Sequence, residues 1–265
     1  MLTVVNNINY FKNSVIASIK SAKEYKVSFI LQTIFMMINN ATFLFSWYII
    51  FNKTGGGDEI ANYTKMLKLW AISTIGYGCT YFFFGGVQYI NRFLLDGDLD
   101  IYLNKPKSVL VSVMTSKCRF SACGDAIFGI IISVMISKSM FELLQLIVYG
   151  VYSTVFLLAL EIIYRSICVW VGNTENLVSR LITNVFITVS TYPIEVFSFG
   201  IKFVSFTIIP AYYAAHLPLK IIDNFSIKNF TIFILSGIVL FGLAILIFNK
   251  ALKKYESGNN ISLRM

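Results

Sequence analysis

The strongest constraint on this chain is a series of apolar runs, each near the length of about 20 residues that a helix needs to cross the hydrocarbon layer of a bilayer. They fall at Val27–Phe51, Leu67–Ile90, Ser121–Ile136, Phe141–Ile163, Leu177–Phe197 and Phe230–Phe248. The rest of the chain cannot offset them. Of its 265 residues, 57% are hydrophobic and only 13% charged, with a mean hydropathy of +0.72, whereas a soluble domain is about 25% charged. That shortage of charge excludes a soluble enzyme, a disordered chain and a collagen-like fibre. The expected fold is an all-α integral membrane protein with six transmembrane helices, forming one membrane domain over 1–265.

A further apolar run, Ile201–Leu219, is interrupted by Pro210 and Pro218. Whether it spans decides where the termini lie. With six spans and both termini in the cytosol, Lys53, Lys65, Lys68, Lys138, Lys202, Lys220 and Lys228 fall outside, and the other fifteen of the 22 Lys and Arg residues fall inside. That bias obeys the positive-inside rule. A seventh span would move Lys250, Lys253 and Lys254 outside. Ile201–Leu219 is therefore expected to be a broken, re-entrant segment dipping into the outer leaflet, its irregular backbone shielded by protein. The placement of basic residues beside apolar runs also explains the net charge of +9. They meet membrane lipid headgroups there, and nucleic acid is not an expected partner.

Ahead of the first span, Ile8, Phe11, Val15, Ile19 and Ala22 recur at three- and four-residue spacing, flanked by Lys12, Lys20 and Lys23. This is the pattern of an amphipathic helix lying in the membrane interface, although an ordinary cytosolic amphipathic helix shows the same spacing. No short apolar core with a small-residue cleavage site precedes the first span, which is expected to act as its own insertion signal. Gly55-Gly56-Gly57 is not followed by the Lys-Ser/Thr of a phosphate loop, and no Walker motif occurs elsewhere. If ATP drives this protein, another chain hydrolyses it. Cys79, Cys118, Cys123 and Cys168 form no CxxC pair and sit in or beside apolar stretches, as small buried hydrophobes do.

The most polar long stretch, Asn91–Lys107, joins the second and third spans. Asp96, Asp98 and Asp100 alternate there, but a calcium loop of the EF-hand type would need a glutamate where Lys107 stands. The better reading is a turn at Asp96-Gly97 that caps a short helix starting at Asp98. Leu99, Ile101, Tyr102 and Leu103 give that helix an apolar side, and Pro106 ends it. Such a helix projecting into the cytosol is a docking element for a soluble partner.

At these residues the sequence resembles the ABC-2 type exporter permeases, in particular their small six-span group. The family's Gly-Glu/Asp-Leu-Asp-x-x-Leu-x-x-Pro after the second span is met by Gly97-Asp98-Leu99-Asp100, Leu103 and Pro106. Its Gly-Asp early in the third span is met by Gly124-Asp125, and its Tyr-Pro late in the fifth by Tyr192-Pro193. Two later prolines correspond to Pro210 and Pro218, and a C-terminal basic-basic-Tyr-Glu-Ser to Lys253-Lys254-Tyr255-Glu256-Ser257. Ile101-Tyr102 and Asn104 stand where the family often carries Arg or Lys. The resemblance implies a dimeric permease, either a homodimer or a heterodimer with a related chain, fed by cytosolic ATP-binding subunits that hold ATP and magnesium. It also implies that Asp96–Pro106 is the coupling helix, that the broken segment belongs to the outer leaflet, and that the chain lies in a bacterial plasma membrane. No cofactor is expected on this chain itself.

Polar residues within the spans need partners, because an unmet polar group in hydrocarbon is costly. Asp125, six residues beyond Arg119, is expected to brace a basic neighbour, or else to face an inner cavity or to snorkel as an interfacial charge. Glu161 and Arg165 are four residues apart and share a helical face, so they should pair. Asn39 and Asn40 are expected to hydrogen-bond between helices at a dimer contact. His216 stands among Ala214, Ala215 and Leu217 and reads as structural. The leading function is thus a permease subunit exporting an amphipathic or hydrophobic substrate. The alternatives are an intramembrane lipid-modifying enzyme, for which catalytic groups do not cluster, and a non-transporting anchor or sensor.

This topology makes a direct prediction. In a variant lacking the four native cysteines, a cysteine at position 56 labels with an impermeant maleimide from outside the cell. Labelling from the cytosolic side alone would overturn it.

Overall fold

The computed structural model describes residues 9–17, 20, 24–54, 59–95, 97–104, 107–171 and 177–255, and among these there is no strand. The first helices are α1 (Lys26–Thr54), α2 (Glu59–Phe84), α3 (Ile90–Leu95), α4 (Asp100–Leu103), α5 (Val109–Met114) and α6 (Ser121–Ile136). They are followed by α7 (Met140–Val171), α8 (Leu177–Thr191), α9 (Phe199–Thr207), α10 (Leu217–Asp223) and α11 (Ile227–Lys253). Three stretches, Lys26–Lys53, Met140–Val171 and Ile227–Lys253, are long and apolar enough to cross a membrane. The other expected spans are helical but less clear-cut. α2 has 26 residues but carries Lys65 and Lys68. α6 has 16 residues, about 24 Å at the rise of an α-helix. The fifth run does not reach Phe197. α8 stops at Thr191, where Pro193 offers no N–H and moves Tyr192 out of the helical region.

Helices α1, α6 and α8 run one way through the bundle, and α2, α7 and α11 the other. One end gathers Arg92, Arg119, Arg165 and Arg180 around a single cavity and is called the basic end below. At the far end Lys68 lies 2.8 Å from Glu142 and 3.3 Å from Asp223. α2 packs most extensively against α6 and α7, while α1 leans on α6 and α11 on α7. Membrane helices lack a hydrophobic drive toward one another and associate through close van der Waals contact, which small residues permit. Gly78 of α2 shows this. A Cβ there would stand 2.5 Å from the Ala126 backbone nitrogen, and one at Gly124 of α6 would stand 2.6 Å from the Thr33 carbonyl oxygen of α1.

The run Ile201–Leu219 is not one continuous α-helix. α9 ends at Thr207, the chain turns at Ile208–Pro210, and a wide π-type turn over Tyr212–His216 leads into α10. Tyr164 of α7 donates to the Ile208 carbonyl at the deepest point (3.1 Å), and α10 then returns to Lys68 at the far end. One expectation needs correcting: Pro218 does not interrupt the helix. It sits in the first turn of α10, and the wide turn before it absorbs the missing donor. The returning limb is buried, with Ala211, Ala214, Ala215 and Ile221 in the core, whereas Phe199, Phe203 and Phe206 of α9 are exposed.

Of the N-terminal amphipathic stripe, Ile8, Ile19, Ala22 and Lys23 lie outside the described residues. Residues 9–17 are helical and lean on the basic end of the bundle. Phe11 stacks on Phe84 with centroids 5.5 Å apart, and Ser14 donates to the Thr115 carbonyl.

The packing of α2 generates a prediction. Gly78→Val forces side-chain atoms against backbone that cannot give way, and should cost about 1–3 kcal/mol. Gly242→Val adds its Cβ where nothing lies within 4 Å and should leave stability nearly unchanged. Thermal unfolding of the two variants in the same detergent compares them, and equal melting would refute the close approach of α2 and α6.

Candidate functional site

The segment after α3 is held from two sides. Gly97 adopts φ 80°, a left-handed conformation open to glycine at no steric cost, and so reverses the chain ahead of α4. The Tyr255 hydroxyl, just beyond α11, donates to the Gly97 carbonyl at 2.5 Å and lies 3.0 Å from Asp100 Oδ1. Burial, reinforced by the Asp100 carboxylate, holds the Tyr255 phenol above its ordinary pKa and keeps it a donor. Two family-like motifs far apart in sequence thus meet in one contact.

The details of this segment differ from expectation. The helix begins at Asp100 rather than Asp98, Leu99 occupies its N-cap, and no side-chain hydrogen bond caps it among the described residues. Asp98 is exposed. Leu99, expected to be a knob for a partner, is 0% exposed and belongs to the chain's own core, beside Leu94, Leu110 and Ala251. Leu103, bonded back to the Leu99 carbonyl, stands one turn further along, beyond the reach of that core. Ile101 at 67% exposure and Leu103 at 42% are the apolar side chains that face outward. Asp96 and Pro106 lie outside the described residues.

Glu161 and Arg165 pair within α7, both almost fully buried. Tyr81 of α2 donates to Glu161 Oε1, and the Thr183 hydroxyl of α8 lies 2.9 Å from the same oxygen. Arg165 Nη1 donates to the Gln88 carbonyl at 2.8 Å. Four elements therefore converge on one ion pair. This explains why α7 continues past Ile163 to Val171: the arginine that the sequence placed beyond the span is neutralised within the helix.

Asp125 is 2% exposed, and its partner is Asn40, not Arg119. Asn40 Nδ2 donates to Oδ1 at 2.8 Å and so is used inside this chain rather than at a dimer contact. Arg119 instead reaches the Tyr77 hydroxyl and Ser121. Asp125 Oδ2 has no partner among the described residues. The side chain borders a cavity of about 210 Å³ that it shares with Ser73, Ser153 and Ser190, polar and roomy enough for water. Asn39 is exposed at the edge of that cavity.

At the far end, Tyr192 stands edge-on between Phe43 and Trp47, at 5.6 and 5.1 Å. Pro193 and His216 border a cavity of about 710 Å³ there, whereas Pro210 lies at the bottom of the broken segment. His216 is buried with Nε2 2.8 Å from the Val189 carbonyl oxygen, a structural role. Sequence reasoning missed Tyr81, Thr183 and Gln88 as partners of the ion pair. Only the helical phase of Tyr77 and Tyr81, four residues apart, hinted at a polar face on α2.

The ion pair yields a prediction. Arg165→Leu leaves the Glu161 carboxylate buried without its cation and should cost about 3–5 kcal/mol. Adding Glu161→Gln should recover much of that, since a neutral amide oxygen still accepts from Tyr81 and Thr183. A double-mutant cycle on thermal stability measures the coupling, and simple additivity would show that the two charges do not act as a pair.

A family model described as ABC-2 family transporter protein matches residues 37–259, from the middle of α1 to beyond Tyr255. No curated protein and no solved structure matches the chain. The match takes in the Gly97 turn, the ion pair, the broken segment and α11, and the chain therefore belongs to the ABC-2 transporter family of multi-pass membrane permeases.

Proposed function

We propose that this chain is the permease subunit of an ATP-driven exporter in a bacterial plasma membrane. α1, α2, α6, α7, α8 and α11 are its six spans, with both termini in the cytosol. A separate cytosolic subunit binds ATP and magnesium, and a second permease, identical or related, completes the transporter. The substrate is amphipathic or hydrophobic: a peptide, a drug or a lipid-like molecule. The far-end cavity, bordered by Trp47, on which Tyr192 packs together with Phe43, is the outer gate, framed by Pro193 and the segment bent at Pro210. Lipid covers exposed apolar side chains such as Phe35, Met135 and Leu235, which a soluble protein would not leave bare in such number. An intramembrane enzyme fits less well, since Asp125 and His216 border different cavities.

One observation carries the reading. Ile101 and Leu103 project from a one-turn helix whose base is fixed by Leu99 in the core and by Tyr255. An exposed apolar pair on a held turn suits a groove in a soluble partner. Each side chain should contribute about 1.5–3 kcal/mol if fully buried there. Ile101→Ser/Leu103→Ser is expected to weaken capture of the ATP-binding subunit and to abolish substrate-stimulated hydrolysis, while membrane insertion and melting stay normal. Leu99→Ala should behave oppositely, lowering stability by roughly 2–5 kcal/mol through the cavity it leaves. Normal capture and stimulation in the Ile101/Leu103 variant would place the coupling contact elsewhere.

A further inference from the structure

At the basic end, α2, the turn Gly85–Tyr89, α3, the 117–120 linker, α7 and α8 surround a cavity of about 380 Å³. Four arginines line it: Arg92, Arg119, Arg165 and Arg180. Arg165 is matched by Glu161, the one carboxylate among the lining residues. No carboxylate among the described residues forms an ion pair with Arg92, Arg119 or Arg180, so among the described residues the lining carries three more positive charges than negative. Lys117 adds to it. Its Nζ lies 3.8 Å from the Tyr89 ring centroid, and the Arg92 guanidinium lies 5.9 Å from the same centroid. Two cations drawn to one aromatic ring repel each other, and an anion beside them would offset that repulsion.

The side chains are also arranged for an anion. The Tyr77 hydroxyl and Ser121 orient Arg119, and Arg92 and Arg180 are exposed at the mouth. Planar guanidinium groups converging from several elements match the oxygens of a phosphate better than single point charges do. α8 supplies the second half of the argument. Its Arg180, Thr183, Asn184 and Ile187 line the cavity, while Val178, Leu181 and Val185 form an exposed apolar stripe on another face at helical spacing. The stripe lies on the opposite side of α8 from the cavity, so it is Arg180, exposed at the mouth, that a lipid headgroup beside the helix can reach. Deeper in the bundle, Asp125 borders the next cavity, which shares Tyr77 and Ile187 with this one. Its carboxylate discourages an anion from sliding further.

We propose that the arginine-lined cavity binds the phosphate-bearing headgroup of an anionic amphiphile, with Arg92, Arg119 and Arg180 as its ligands. The membrane's own anionic phospholipid is one source of that group and free phosphate another. Basic pockets between membrane helices commonly serve such headgroups.

The test uses the full-length purified chain in a non-ionic detergent and native mass spectrometry of bound lipid. Dioleoylphosphatidylglycerol should be retained in preference to dioleoylphosphatidylcholine. Arg92→Gln/Arg180→Gln, which alters only exposed side chains, should reduce that preference by roughly thirtyfold, five- to sixfold for each arginine near the headgroups. Lys138→Gln/Lys228→Gln, at the far end, should retain it. Millimolar inorganic phosphate separates the sources: displacement of the lipid would mean that the phosphate group alone suffices, and no displacement that the amphiphile is required. Equal retention of the two lipids by the unaltered chain, or an unchanged preference in Arg92→Gln/Arg180→Gln, would overturn the proposal. Neither ATP nor a partner subunit is needed, so failure here would leave the permease reading standing.

Discussion

A charge cannot be left unmatched in a low-dielectric interior, and this structure is arranged around that constraint at Glu161 and Arg165. The pair is adjacent on α7, so forming it costs no long-range organisation. Its remaining hydrogen-bonding capacity is what organises the bundle. Glu161 still has to accept from Tyr81 and Thr183, and Arg165 still has to donate to Gln88. Those three partners lie on α2, on the Gly85–Tyr89 turn and on α8. Each is thereby tied to α7 at one depth, and the tighter turn over Gly85–Tyr89 that follows α2 carries the Gln88 carbonyl that faces the guanidinium. A buried ion pair is weak as a source of stability against an apolar equivalent, but removing one partner is severe. Its effect here is to fix which helices meet, and how.

Away from that level, small residues take over. Gly78 and Gly124 bring α1, α6 and α2 to backbone contact, close enough for Asn40 to reach Asp125. The far end depends on a different device, since the Pro210 break leaves the chain free to turn back. Burial of Ala214, Ala215 and Ile221 and the reach of His216 to Val189 hold the returning limb in place. The Lys68 contacts with Glu142 and Asp223 pin its end. Those charges are partly exposed, so they contribute little to stability and serve mainly to set position.

Features governed by local physics were legible in the sequence. Apolar length located the helices and four-residue spacing paired Glu161 with Arg165, although α8 ends at Thr191, six residues before the expected Phe197. Features needing the third dimension were not. Leu99 and Leu103 are indistinguishable by spacing, yet one enters the core and the other faces out, because the core reaches only to the start of a one-turn helix. Arg119 stands closer to Asp125 in sequence than Asn40 does, but Asn40 faces it across the α1–α6 contact. Pro218 looks like a second break until the wide turn before it is seen to absorb the missing donor. At the candidate site the family-like motifs were visible, but not that Tyr255 binds Gly97.

That last contact bears on how a permease of this kind would transmit work. α11 is an apolar helix of 27 residues, and Tyr255, two residues beyond its end, touches the turn that precedes α4. A load applied at Ile101 and Leu103 reaches the bundle by two routes. Leu99 passes it to α3 and α5 through the core, and Tyr255 passes it to α11 through one hydroxyl. The first route is apolar and lacks direction, so it resists separation but permits sliding. The second is a directional hydrogen bond in a partly buried site, and it resists rotation of the turn about the Leu99 anchor. Together they constrain the turn more than either does alone. A short helix of one turn has almost no intrinsic stability, so its usefulness as a docking element rests on these two attachments rather than on its own hydrogen bonds.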